Sequence, residues 1–549
     1  MDEKSTGRGL GRRTFLKMAA TGIAGAAIGA SPAQGDEAVK PDITAPRAAT
    51  TFAYGYDKEP YPLESGPHLF IDWRYIFAGR INWQTADGQG TPLFSYEEIK
   101  NVQGVPNRTP YGIRLVAQQA EKIGPIVPND RDWEFMIGGY CSMHDLGGKF
   151  GVWYEVVPPK TDGNKNLICY AESKDGVTWT KPELGLVEFN GSKANNIVID
   201  GAKCPFGTFH GNCVFIDPMA PPEERFKIIY VSVGEHAERI AKLKAESPGS
   251  VDSFGELKNA IMLLGSSPDG LRWKFSEKIL FCHLCDTQTT VYYDPYLQRY
   301  VAFTRTLGMN RRAIGRCETA DLTRWPVPET ILYPQPSDDP CDDYYTNSKS
   351  IYPGTKTMHM MFPTVYKRRV DGCALRMAVS LDGVQWAWMP GDNVMECGPE
   401  GSWDGGSFFA GFGLTEISGN RVALPYGGYK YPHKYPRFGR MGQLGLAVWQ
   451  KERLVALEAD EDGEFYTQPM TLPGETLHLN FQTKRAGYIK VEVCDIAGHT
   501  LDDCDPLIGD QIKQQVTWKG QPAIGVAKGG GVMLRFKLRS AKLFSFEVK

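Results

Sequence analysis

The sequence predicts an all-β protein assembled from repeated four-stranded units, and three observations carry that prediction. The first is a turn motif. Ser173-Lys174-Asp175-Gly176-Val177-Thr178-Trp179 returns as Ser267-Pro268-Asp269-Gly270-Leu271-Arg272-Trp273 and as Ser380-Leu381-Asp382-Gly383-Val384-Gln385-Trp386. A looser copy is Thr319-Ala320-Asp321-Leu322-Thr323-Arg324-Trp325. Asp-Gly between apolar runs is a hairpin signal, because Gly supplies positive φ without steric cost. The second observation is composition: 60 Gly, 37 Pro and 11% aromatic residues in 549 suit many short strands joined by turns. The third is spacing. The motif steps by 52 residues from Ser267 to Thr319 and by 61 from there to Ser380.

Each element has its own signal. In the first unit an apolar strand runs to Asp145, followed by 149–154 and 167–171 and then the turn at Asp175. The second has 212–217 and 225–230, a charged insertion at 235–258 that suits helix, then 260–264 and Asp269. The third has 289–294, 299–303 and 313–317 before Asp321. The fourth has 344–352, 358–362 and 375–380 before Asp382. A fifth has 407–410, 421–426 and 444–449 and lacks the Asp-Gly turn. Four-stranded units at this spacing fit propeller blades better than a sandwich or barrel, so a five-bladed propeller over 65–457 is expected. The Trp ending each repeat is expected to pack between neighbouring blades. Residues 458–549 alternate apolar and polar at 477–481, 488–493 and 532–538, which predicts a small antiparallel β-sandwich.

The ends and the charge pattern bound the function. Arg12-Arg13-Thr14-Phe15-Leu16-Lys17 precedes a Gly/Ala-rich apolar run, a pattern similar to a twin-arginine export signal over 1–35. An uncleaved anchor is the alternative. Export to the periplasm or outside the cell is therefore expected, with no membrane span in the mature protein. Residues 36–64 read as a linker or arm, and the irregular 83–130 as a long loop. A net charge of -3 argues against a nucleic-acid partner. Cys282 and Cys285 form a lone CxxC, a weak metal or redox signal, and Cys494 and Cys504 flank a turn where they can pair.

The repeat pattern, the Asp-Gly-x-x-Trp turns and the phrase Pro222-Glu223-Glu224-Arg225-Phe226-Lys227 together resemble the five-bladed β-propeller glycoside hydrolases of families 32, 43 and 68. The Asn-Asp-Pro-Asn and Arg-Asp-Pro motifs of family 32 are missing, and its Glu-Cys pair occurs only as Glu396-Cys397, between units four and five. The resemblance implies an enzyme that cleaves glycosidic bonds of a poly- or oligosaccharide with carboxylates held where the first strands meet at the axis. It admits a central calcium, but the sequence carries no EF-hand-like ligand run, and no cofactor or metal is expected. A non-catalytic glycan- or protein-binding propeller and a sialidase-like hydrolase are the alternatives. The Asp turns are similar to sialidase Asp boxes but one residue shorter.

Glycosidic cleavage needs one acid to protonate the leaving oxygen and a second carboxylate as base or nucleophile. Polar residues at the start of first strands are therefore the candidates. Asp145, Asp217 and Asp294 follow their strands and read as turn residues. Asp286 precedes the third unit, Asp343 the fourth and Asp404 the fifth, and His210 and Asn212 occupy the matching place in the second. By the resemblance, Asp72 is base or nucleophile, and Asp286, Asp343 and Asp404 compete for the remaining catalytic roles. Glu134 and Glu396 are reserve acids. Arg74, His210, Asn212 and Arg305 are expected to bind sugar hydroxyl or acidic groups, and Trp403, with Trp73 and Tyr345, to stack on a sugar face.

Overall fold

Long apolar runs broken by Asp, Gly and Pro fold here as antiparallel strands grouped into small sheets. The structure is a computed structural model and describes residues 60–78, 82–84, 90–92, 108–159, 165–436 and 439–549. The expected export signal, and the expected arm up to residue 59, lie outside the described residues.

Four units follow the chain in order. The first sheet is built from Met136–Asp145, Phe150–Val157, Leu167–Ser173 and Trp179–Thr180. The second takes His210–Ile216, Phe226–Val233, Ala260–Ser267 and Lys274–Phe275; the third takes Thr290–Asp294, Arg299–Gly308, Arg311–Thr319 and Glu329–Leu332. The charged insertion is helical, at Ala237–Glu246 and Ser253–Lys258. The fourth unit is divided into two short four-stranded sheets that begin at Asp342–Thr346 and Ser350–Ile351. In the fifth, Ser407–Ala410, Arg421–Tyr429 and Gln443–Gln450 are joined by an outermost strand from much earlier in the chain, Glu121–Val127. First strands neighbour one another around an axis. Met136–Asp145 touches both His210–Ile216 and Ser407–Ala410, and Asp342–Thr346 touches the third and fifth sheets. The ring therefore closes, as blades of a propeller do.

The closing strand was hidden in the supposed loop at 83–130. Its residues do not alternate, and Gly124-Pro125 interrupts it. Pro lacks an N–H, so it is tolerated on an outermost strand, where only one neighbour needs donors.

The turn motif behaves as the repeat suggested. Asp175, Asp269 and Asp382 each accept backbone N–H groups two and three residues on. Each motif Trp donates its indole N–H back to its own turn. The glycines have φ of 78°, 73° and 68°. Two of them also lie flat against the preceding unit in the ring: a Cβ on Gly176 would meet Ile417 at 2.5 Å, and one on Gly270 would meet the Trp153 ring at 2.5 Å. Trp153 donates to the Gly270 carbonyl at 2.6 Å. Asp145, Asp217 and Asp294 likewise cap the turns after their strands.

The N-terminal residues correct the expected boundary at 65. Pro67–Leu69 pairs with Leu534–Val548, and Arg114–Ala117 pairs with Val455–Tyr466, so both strands belong to the C-terminal sheet. The run 68–76 carries an apolar pattern that would also satisfy a strand. It bends instead, because Leu69, Phe70, Ile71, Tyr75 and Ile76 are all buried and an alternating strand would expose half of them. Phe70 and Tyr75 pack on Phe546. One apolar cluster runs from these residues through Phe408 and Trp449 to Leu477, Phe536 and Val548, and the described residues form one compact unit. All twelve cysteines are unpaired, including Cys282, Cys285, Cys494 and Cys504. Among the described residues no helix is long and apolar enough to cross a membrane.

The Gly270 contact gives a direct test. Gly270→Ala is expected to lower unfolding stability by roughly 2 kcal/mol or more, through positive φ and the clash with Trp153. Gly185 has φ 69° with nothing within 4 Å of an added Cβ. Gly185→Ala should therefore cost only about 1 kcal/mol. Urea unfolding of both variants checks the difference, which isolates the contact between units.

Candidate active site

The first strands start at one end of the axis and leave a cavity of ≈ 350 Å³ there. Gly138 and Gly139 contribute no side chain to its wall, and Gly139 lies so close to the fifth unit that a Cβ would meet Phe409 at 2.6 Å. His210 enters from the second unit, Asp286 from the chain before the third, Tyr345 from the fourth, and Ser407 and Phe409 from the fifth.

Behind His210 stands Glu155, on the second strand of the first sheet and 2% exposed. Its carboxylate accepts from His210 Nδ1 at 2.7 Å, Asn166 Nδ2 at 2.6 Å, Gly211 N at 2.9 Å and Asn212 Nδ2 at 2.9 Å. A buried carboxylate must be compensated in this way. The other imidazole nitrogen, Nε2, faces Asp286 Oδ1 at 3.4 Å. Arg305 Nη1 reaches Asp286 Oδ2 at 3.4 Å, and its guanidinium lies 4.3 Å over the Tyr345 ring. Asp286 is thus held loosely by two cations, and its side chain is 57% exposed to the cavity.

The charges follow from this placement. Burial alone would push the His210 pKa down, but the Glu155 and Asp286 carboxylates overcome it and raise the value to about 10. Burial would raise Asp286, but the His210 hydrogen bond and the Arg305 charge bring it down to about 2. Glu155, too, titrates below its usual range despite burial, because His210 and three further donors favour its ionised form. At neutral pH the row reads carboxylate, imidazolium, carboxylate, guanidinium.

The structure brings together Asp286, His210, Asn212, Arg305 and Tyr345 from the sequence candidates. It places the others elsewhere. Asp343 is fully buried and clasped by Arg312 at 2.6 Å and by both arms of Arg368 at 2.6 and 2.7 Å, which ties the third unit to the fourth. Asp404 bonds Lys122 at 2.8 Å and Tyr426 at 3.0 Å, on the face of the fifth sheet. Trp403 lies beside it, flat on Gly428 and Gly445, and stacks on Tyr426. Asp72 and Arg74 pair with each other at 2.7 Å beside the C-terminal sheet. Trp73 is half exposed in that same bend. Of the four aspartates, Asp286 alone lines the axial cavity. Glu134 is buried against Lys181 and Tyr154, and Glu396 pairs with Asn393 and Lys367 on the surface. Glu155 was missed, although a lone acid inside Val152-Trp153-Tyr154-Glu155-Val156 is the signal of a buried charge awaiting partners.

The axis below the cavity does not fit a calcium. Gln288 donates its amide N–H to the Cys141 and Asn212 carbonyls at 3.0 and 2.8 Å, taking up oxygens that a hard cation would need. Among the described residues no group of three or more His, Cys, Asp or Glu is placed to hold a metal.

No family profile matches the chain, and no curated protein matches it. Solved structures are similar to it at low sequence identity. One is a thermostable family-43 glycoside hydrolase, 12% identical, with a TM-score of 0.40 over 62% of this chain and 96% of that one. Another is a glycosyl hydrolase from Bacteroides ovatus, 12% identical, TM-score 0.41, over 62% and 94%. A third is an N-acetylgalactosamine deacetylase from F. plautii in complex with blood group B trisaccharide, 13% identical, TM-score 0.40, over 63% and 96%.

The Glu155–His210 pair has a measurable signature. Glu155→Gln keeps the shape and removes the charge, so the His210 pKa should fall from about 10 towards its ordinary value of about 6.5. Side-chain NMR titration of His210 reads this directly. The folded value lies above the unfolded one. The pair's stabilisation is therefore fully present below about pH 6.5 and is lost as pH rises through about 10. A His210 that still titrates near 10 in Glu155→Gln would place the cause in Asp286 instead.

Proposed function

We propose that the axial cavity is the active site of an exported enzyme that hydrolyses glycosidic bonds in a poly- or oligosaccharide. The observation that carries this reading is Asp286: an ionised, half-exposed carboxylate at the axis, with the His210 N–H facing the same space. Asp286 supplies the base or nucleophile that glycosidic cleavage requires. Glu155 is not the acid, since four donors already saturate it. His210 is the proton-bearing group in reach. If its Nε2 proton passes to the leaving oxygen, a neutral imidazole remains, still bonded through Nδ1–H to Glu155. As nucleophile, Asp286 bonds to the anomeric carbon as the glycosidic C–O bond breaks, and water, giving its proton to the neutral His210, then displaces Asp286; as base, Asp286 takes the proton of the attacking water and hands it back to His210. Export by the N-terminal twin-arginine pattern would place this activity in the periplasm or outside the cell.

One observation favours a second reading, a pocket that binds glycan without cutting it. General acids work best with a pKa near the working pH, and His210 titrates far above neutrality. A sialidase-like site has less support, because its arginines must converge on a substrate carboxylate. Here Arg305 is turned to Asp286 and Tyr345, and Arg312 to Asp343.

The purified protein on a panel of defined glycans separates these readings. Asp286→Asn is expected to lower kcat by on the order of 10³-fold. Asp404→Asn should keep the turnover of whatever fraction folds to within about two-fold, since Asp404 does not line the cavity. Undiminished turnover in Asp286→Asn would overturn the assignment. Wild-type protein that binds a glycan and never cleaves it would establish the second reading.

A further inference from the structure

The loop 430–435 stands at the mouth of the axial cavity, and its backbone is pinned at three places. Ser407 Oγ donates to the Tyr431 carbonyl at 3.0 Å, beside Gly406, which packs so tightly that a Cβ would meet the Tyr431 carbonyl carbon at 2.0 Å. The Lys434 N–H donates to both oxygens of Asp371, at 3.1 and 2.9 Å, and Tyr366 holds Asp371 from the other side at 2.6 Å. The His433 ring sits among the rings of Tyr345, Tyr366 and Phe409 at 5.1, 5.1 and 5.0 Å.

On that held backbone two large side chains are partly exposed. The Tyr431 and Tyr435 rings stack 4.6 Å apart at 12°, remain 39% and 44% exposed, and both line the cavity. The anchored loop holds both rings together on the cavity wall. What it presents is a flat, pre-ordered aromatic surface with little conformational freedom left to lose on binding. The cavity itself, at ≈ 350 Å³, is at the small end of ligand pockets, which span about 300–1,000 Å³. A chain of sugars entering it must therefore leave across the rim. The C–H face of a pyranose ring is flat, apolar and complementary to such a surface.

We propose that Tyr431 and Tyr435 form a second sugar subsite, which takes the neighbouring ring of an oligosaccharide whose reacting ring occupies the axial cavity. This rests on the glycan-directed reading of that cavity and adds the place where the second sugar of the chain is held.

Calorimetric titration with ladders of xylo-, arabino-, manno- and gluco-oligosaccharides, from one to six units, tests it. For the ladder that binds, affinity should rise about five- to ten-fold from one unit to two or three, then level off. Tyr431→Ala and Tyr435→Ala should each remove most of that rise, and Tyr435→Phe, which keeps the ring, should retain it. Both rings are exposed, so the variants are expected to fold, which unchanged thermal unfolding would verify. Affinity independent of length, or a length effect that survives in both alanine variants, overturns the subsite alone. A wild-type protein that binds no member of any ladder overturns the glycan reading and the subsite with it.

Discussion

The pairing of Glu121–Val127 with Gln443–Gln450 is the constraint on which the rest depends. A ring of sheets has no stable open form, because an unclosed ring leaves a sheet edge and two apolar faces in water. Here the last sheet is completed by a strand that precedes the first, so closure joins the two ends of the ring through backbone hydrogen bonds. Lys122 on that strand bonds Asp404, and Trp403 covers the glycines that the strand and its neighbour present. Two neighbours that read in the sequence as a catalytic acid and a sugar platform are therefore part of the closure.

The same logic sorts the other acids. Glu134, Glu155, Asp343 and Asp404 are all almost fully buried. An isolated charge in such a place would cost several kcal/mol, so each must find cations or donors that do not move away. Glu134 has Lys181, Asp343 has Arg312 and Arg368, and Asp404 has Lys122. These ion pairs fasten one part of the ring to another. Glu155 differs because its cationic partner is a histidine whose second nitrogen looks into the cavity. The burial of Glu155 fixes the charge state of a group that is itself accessible, which joins the interior to the site.

The architecture was legible in the sequence because its signals are local. An Asp-Gly turn requires only neighbouring residues, so Gly176, Gly270 and Gly383 mark the unit ends, and the acids after first strands read correctly as turn caps. Helix in the 235–258 insertion was legible for the same reason. Asp286, His210 and Asn212 were legible together because strand order places them at one end of the axis. Glu121–Val127 was not, since nothing local announces a partner more than 300 residues away in the chain. Asp72 was misplaced for a related reason. The apolar run around it satisfies a strand pattern, but burial of Phe70 and Tyr75 against Phe546 binds it to the C-terminal sheet.

Strand polarity explains both the success and the limit of that reading. First strands all begin at the cavity end and finish at the turn end, so a residue's place before or after its strand decides which face of the ring it reaches. That is why Asp286 is near the cavity and Asp294 is at the opposite end. Polarity leaves the distance from the axis open, however. Asp343 and Asp404 also stand at or just before the starts of first strands, yet each turns towards a cation between or behind the sheets. What separates them is the surroundings: Arg312, Arg368 and Lys122 lie close enough to satisfy those carboxylates completely, whereas His210 and Arg305 reach Asp286 only at 3.4 Å. An acid that its neighbours satisfy becomes scaffold. The one they hold at arm's length keeps an unfilled demand for hydrogen-bond donors, and at the mouth of a cavity that demand is available to a ligand.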